Sequence, residues 1–155
     1  MTDSKSSPAV SGDPTVASSE VGAAREAIRD LVARYNANGD TGRFARVREL
    51  FAVDAWMDIG DGNVRRGVDE IMTIFTGTAT NVTADFVRHF TSTHQIDVQT
   101  SDRAVGRLYY AVLTQVGLDH WGRYVDEYAR IDGRWLFASR TVSVDGWSSA
   151  SVFPH

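Results

Sequence analysis

The chain is expected to fold as an α+β domain, with about three N-terminal helices followed by a curved, mostly antiparallel sheet. Three observations carry this expectation. In the first half, apolar residues recur at helical spacing. From about His89 onward the apolar period changes to two. Asp132–Gly133 then marks a tight hairpin turn between two alternating runs. Helices first and long strands afterwards argue for segregated layers.

Taken in order, residues 1–20 are rich in Ser, Pro and Gly without an apolar period, and read as a disordered tail. Ile28, Leu31, Val32 and Tyr35 share one face of a helix expected from about Ala23 to Asn36, with Gly39 suited to its C-terminal end. Phe44, Val47, Leu50 and Phe51 mark a second helix over Thr41–Leu50. Asp54–Ile59 reads as a short strand, and Asp61–Gly62 as a turn. Val68, Ile71, Met72 and Phe75 mark a third helix. Strands are expected over Phe90–Gln99, Ala104–Gly117, Trp121–Ile131 and Trp135–Val144. The reading is one domain over residues 21–147, with a C-terminal tail over 148–155.

Composition removes several function classes. The chain has 155 residues, of which 43% are hydrophobic, enough for one sizeable core. Cysteine is absent, so disulfide scaffolds, thiol nucleophiles and Cys-type metal sites are excluded. Sixteen Lys and Arg against 20 Asp and Glu give a net charge of −4, which offers no electrostatic case for nucleic acid. No apolar run is long enough for a bilayer, and the N-terminus lacks a secretory apolar core, so a cytoplasmic location is expected. No P-loop, nucleophile elbow or Gly-rich dinucleotide fingerprint occurs, so no cofactor is expected. The four histidines show no metal-ligand spacing. His89 and His94 are five residues apart and would face opposite sides of a regular strand.

The polar residues that remain cluster at element ends. Tyr35 and Asp40 close the first helix, Arg88–His89 open a strand, and Arg140 lies late in the last one. The run Gly122-Arg123-Tyr124-Val125-Asp126-Glu127-Tyr128 leads toward Asp132-Gly133-Arg134-Trp135. Plainer readings stand beside each. Asp40 precedes the second helix and could be its N-cap. Arg140 could pair with a carboxylate on a neighbouring strand, such as Asp126. The Tyr35 ring belongs to the apolar helix face.

The order of these motifs resembles the SnoaL-like branch of the nuclear transport factor 2-like superfamily. The residues that carry the likeness are Tyr35 and Asp40; Leu50-Phe51-Ala52-Val53-Asp54-Ala55; Gly67-Val68-Asp69-Glu70-Ile71; Arg88-His89; and Gly122 through Arg140. Thr93 stands where the family pattern often has Asn. The resemblance implies a cone-shaped fold around a deep pocket. Its dehydratase and dehydrochlorinase members use an Asp–His pair at positions matching Asp40 and His89. An Arg matches Arg140, and the bile-acid dehydratase has a Tyr where this chain has Tyr35. The second histidine of scytalone dehydratase would fall near Leu108, so a two-histidine apparatus is not expected.

The resemblance therefore implies a cofactor-independent lyase of the dehydratase or dehydrohalogenase type. It would act on a small hydrophobic, cyclic molecule with Asp40, His89, Tyr35 and Arg140 as catalytic residues. A carboxylate on one imidazole nitrogen fixes the tautomer and frees the other nitrogen as base. Tyr124, Trp121, His120 and Tyr128 are the candidate pocket residues; His120 shares strand parity with the two tyrosines. A ketosteroid-isomerase-like isomerase, a polyketide cyclase and a non-catalytic binding or subunit protein are the alternatives on this scaffold. An aromatic-rich outer sheet face points to a homo-oligomer, a dimer or trimer.

Overall fold

The computed structural model describes residues 16–153. The first fifteen residues of the expected tail lie outside the described part. Three helices and six strands follow one another: α1 (Ser18–Asp40), α2 (Phe44–Arg48), β1 (Phe51–Asp58), β2 (Arg65–Arg66), α3 (Val68–Asn81), β3 (Arg88–Val98), β4 (Arg103–Thr114), β5 (Gly117–Ile131) and β6 (Arg134–Trp147). One sheet holds all six strands in the order β2-β1-β6-β5-β4-β3. Every pairing is antiparallel except β1 with β6. This is the expected α+β arrangement.

The helix boundaries differ from expectation. α1 begins at Ser18 and not near Ala23, with the Glu20 carboxylate accepting the Ala17 N–H at 3.4 Å, so Ser18–Glu20 belong to the helix and not to the expected tail. α1 runs through Gly39 to Asp40, and Gly42, at φ 68°, takes the left-handed position instead. Its N–H bonds to the Gly39 carbonyl at 3.1 Å. The last turn is fixed by tertiary bonds from Asp40, which outweigh the weak local preference of Gly39. α2 is correspondingly shorter, and Phe51 leaves the helix to begin β1. There it lies beside Phe137 of β6.

Alternation on the strands supplies the inner face of the sheet. Ala104, Leu108, Tyr110 and Val112 of β4 are buried there, as are Tyr124 and Tyr128 of β5. α1 lays Ile28, Leu31, Val32 and Tyr35 against this face, and α3 adds Val68 and Ile71. Burying each large apolar side chain stabilises the fold by roughly 1.5–3 kcal/mol. Register breaks bend the sheet around the core: one in β3 between Ser92 and Gln95, and others between Trp121 and Gly122 and between Glu127 and Tyr128. Gly122 is required where it stands, because a Cβ there would sit 1.9 Å from the Ser143 carbonyl oxygen.

The segment after β6 is tied down over residues 148–153. The Asp119 carboxylate accepts from Ser151 Oγ at 2.6 Å and from the Val152 N–H at 2.9 Å. Among the described residues, no helix is long and apolar enough to cross a membrane.

Candidate active site

α1 ends and β3 begins at the same place, and a single carboxylate joins them. Asp40 Oδ2 accepts the backbone N–H of His89 at 2.9 Å, and Asp40 Oδ1 lies 2.5 Å from His89 Nδ1. Both oxygens are thus committed to His89. The carboxylate side chain is only 7% exposed, whereas the imidazole keeps 24%. Asp40 is the last residue of α1 and does not cap α2, whose N-cap is Arg43. An ionised carboxylate only accepts, so Nδ1 carries the hydrogen and Nε2 presents its lone pair. Nε2 has no hydrogen-bond partner among the described residues. The ring centroid lies 6.5 Å from that of Tyr110, on the inner face.

Arg140 forms the floor of the interior. Its Nε and Nη2 donate to the two oxygens of Asp126 at 2.8 and 2.7 Å, and neither side chain has exposed surface. The guanidinium carbon lies 4.3 Å from the centre of the Tyr35 ring, 4.1 Å from that of Tyr124 and 4.4 Å from that of Phe137. The pairing with Asp126 that the sequence offered as the plainer reading is therefore made. Among the described residues, the remaining nitrogen, Nη1, has no hydrogen-bond partner. Burial alone would lower the Arg140 pKa, but Asp126 outweighs it and holds the group more firmly in its charged form. Removing one partner of such a pair costs about 3–5 kcal/mol, because the other charge stays buried and uncompensated.

Tyr35 is buried, its ring edge-on to Phe51, Phe75 and Phe137. Burial raises its pKa, against the opposing pull of the Arg140 charge, so it remains a protonated donor. Tyr124 is buried and stacks on Tyr110 with centroids 4.4 Å apart. Tyr128 is also buried, and its hydroxyl donates to Asp126 Oδ2 at 2.7 Å. His120 is buried and inward, near Tyr110, but it sits at the end of the interior against Trp147 and Phe153. Its Nδ1 lies 2.8 Å from Asp119 Oδ1.

Trp121 is a correction. It is 38% exposed and lies on the outer face of the sheet, its ring over Gly146. Strand alternation sends it away from His120 and Tyr124, so it does not line the interior.

His94 is a second correction. The extra residue in β3, with Thr93 at φ 53°, shifts the parity so that His94 turns to the same face as His89. Its Nε2 lies 3.1 Å from the Tyr128 hydroxyl. That hydroxyl already donates to a carboxylate, so His94 Nε2 must be the donor to it. A continuous line His94–Tyr128–Asp126–Arg140 results, and it ends on the guanidinium beneath Tyr35 and Tyr124. Gly106 makes the meeting possible: a Cβ there would be 2.8 Å from the Tyr128 ring and hydroxyl and 3.2 Å from His94 Nε2. Tyr110 and Asn36 are the other inner polar residues that the sequence reading did not single out. The alternation of Leu108, Tyr110 and Val112 marks Tyr110; nothing local marks Asn36. Two surface hollows, of about 330 and 900 Å³, are lined by other residues and contain neither Asp40 nor His89.

A helix-packed, six-stranded curved sheet with this interior defines the nuclear transport factor 2-like, cystatin-like fold. A family model described as the SnoaL-like domain matches residues 21–141, and the chain belongs to that family. No curated protein matches the sequence. Among solved structures, the chain is similar to a candidate scytalone dehydratase from Novosphingobium aromaticivorans DSM 12444. The identity is 18%, covering 88% of this chain and 94% of that one, at a TM-score of 0.78. It is also similar to the hexachlorocyclohexane dehydrochlorinase LinA-type3 from Novosphingobium barchaimii LL02, at 17% identity, covering 90% and 100%, with a TM-score of 0.75. A third, an NTF2-like protein with a cystatin-like fold from Novosphingobium aromaticivorans, shares 24% identity over 84% and 88%, with a TM-score of 0.74. At these identities the likeness is one of fold.

The half-buried setting of His94 has a consequence for stability. Burial lowers its pKa from the ordinary 6.5, with Arg140 and Arg29 adding to the effect and Asp126 opposing it. The unfolded chain therefore binds this proton more readily than the native one. The contribution is complete above about pH 6.5 and is lost progressively as the pH falls below that value. Between pH 7.5 and 5 the melting temperature of the unaltered protein is expected to fall further than that of His94→Gln, which keeps an N–H donor but takes up no proton. Parallel curves would contradict this.

Proposed function

We propose that the chain is a cofactor-independent lyase in which Asp40 and His89 are the acid–base pair. The observation that supports this most directly is the two-point hold of one carboxylate on His89, which leaves Nε2 as the free nitrogen. In the proposed reaction Nε2 takes a proton from a carbon beside a carbonyl or a leaving group. The C–H electron pair becomes the new π bond, and the leaving group departs with its own bonding pair. A halide leaves as the ion; a hydroxide takes the proton back from the imidazolium and leaves as water. Asp40 stabilises the imidazolium while it exists. The Tyr35 hydroxyl donates to the oxygen on which charge develops, and Arg140 supplies a fixed positive charge beneath it.

We propose in addition that the protein self-associates, as a dimer or trimer, through the outer face of the sheet. Phe90, Ala111 and Trp121 lie in one row across β3, β4 and β5, and Phe90, Tyr109, Trp121 and Val125 are all exposed. Sedimentation velocity is expected to show a species larger than the monomer, and a monomer independent of concentration would refute this.

General acid–base groups contribute about 10²–10⁴-fold each. Elimination from β-hydroxy ketones and halogenated rings, followed by the absorbance of the new double bond, is expected to lose that much in kcat in His89→Gln and in Asp40→Asn. Both variants are expected to keep the native circular dichroism. A turnover within a few-fold of the original in His89→Gln would remove the imidazole from the reaction.

A further inference from the structure

Outside the interior, α1, α2 and the turn between β5 and β6 form a hollow of about 900 Å³, within the size range of small-molecule sites. Ala27, Leu31, Arg34 and Asn38 line it from one stripe of α1, at spacings of three and four residues. The Phe137 N–H donates to the Leu50 carbonyl at 2.9 Å and so ties the segment after α2 to β6. The floor is apolar: Leu31 and Leu50 are buried, and Trp135 and Leu136 are half-buried.

The rim is cationic, although the chain as a whole carries a net charge of −4. Arg34, Arg43, Arg46 and Arg134 line the hollow with exposed side chains, against the two carboxylates of Asp30 and Glu49. Both carboxylates are engaged. Asp30 accepts from Arg34 Nε at 2.6 Å, and Glu49 from Arg46 Nη1 at 3.3 Å. Among the described residues, the side chains of Arg43 and Arg134 have no carboxylate within ion-pair distance. Four guanidiniums facing two carboxylates leave a surplus of two positive charges. A single exposed arginine without a partner is ordinary. Two of them on the rim of one hollow, above a half-buried indole, suit a ligand with an anionic head and an apolar body.

We infer that this hollow is a second ligand site and that it takes the phosphate monoester of a ring compound. The planar fork of arginine matches phosphate oxygens two at a time. A phosphate monoester carries a charge of about −1.5 to −2 near neutrality, which balances the surplus, whereas a carboxylate balances half of it. The ring lies on Trp135 and the leucines, and the phosphate meets Arg43 and Arg134 at the rim. The inference is independent of the reaction assigned to His89, because neither Asp40 nor His89 lines the hollow.

The test uses the full chain and 2-naphthyl phosphate, with 2-naphthol and inorganic phosphate as the two halves of that probe. By titration calorimetry the ester is expected to bind at least about tenfold more tightly than either half, and more weakly as salt is added. Arg43→Gln and Arg134→Gln are each expected to weaken it about fivefold, the worth of one exposed ion pair. Arg107→Gln removes the same charge from an exposed position on β4 and is expected to change nothing. In ¹H–¹⁵N spectra of the unaltered protein the ester is expected to shift the Trp135 indole N–H and the amides of Arg43 and Arg134, a reading that needs no variant. No binding of the ester, 2-naphthol binding as tightly as the ester, inorganic phosphate doing so, or shifts gathered at His89 instead of Trp135 would each overturn the site. A failure to find lyase turnover would leave this result untouched, and a failure of the ester to bind would leave the lyase reading untouched.

Discussion

Two opposite charges with no exposed surface stand in the middle of the sheet, and the interior is arranged around them. Asp126 and Arg140 are cross-strand partners on β5 and β6, joined by two hydrogen bonds. Such a pair repays its desolvation only when geometry is good and the remaining donors and acceptors are occupied. Asp126 is completed by the Tyr128 hydroxyl, and Tyr128 in turn by His94. Arg140 is completed on its flat faces by Tyr35, Tyr124 and Phe137. The inner tyrosines are therefore placed by a charge as much as by hydrophobic packing.

Asp40 and His89 are held by a different logic. Their bond lies at a seam, where the end of a helix meets the start of a strand, and part of the imidazole reaches solvent. The carboxylate orients the ring through the backbone and the side chain together, which limits the positions the ring can take. In the proposed reaction, an imidazole held in one orientation is suited to moving one proton over a short distance.

Much of this was legible in the chain. The helical period from Ile28 to Tyr35, the alternation after His89 and the Asp132–Gly133 turn carried the fold, because burial on one face imposes those periods. Asp40 and His89 stood out as polar groups at element ends, and motif order tied them together. What stayed hidden depends on register. One added residue near Thr93 reverses the facing of His94, and no local residue type announces it. Trp121 was grouped with its inward neighbours although alternation turns it outward. α1 passes Gly39 because a bond to a residue 49 positions away holds its last turn.

The account depends on which nitrogen of His89 is free. The most direct measurement is the tautomer of His89 from the ¹⁵N chemical shifts of its ring at a pH where the imidazole is neutral. The structure predicts a protonated Nδ1 and an unprotonated Nε2, with the protonated signal lost or mixed in Asp40→Asn, whose amide can both donate and accept. A ring protonated at Nε2, or one indifferent to Asp40→Asn, would contradict the account, since the nitrogen not bonded to Asp40 would then have no lone pair with which to take a proton.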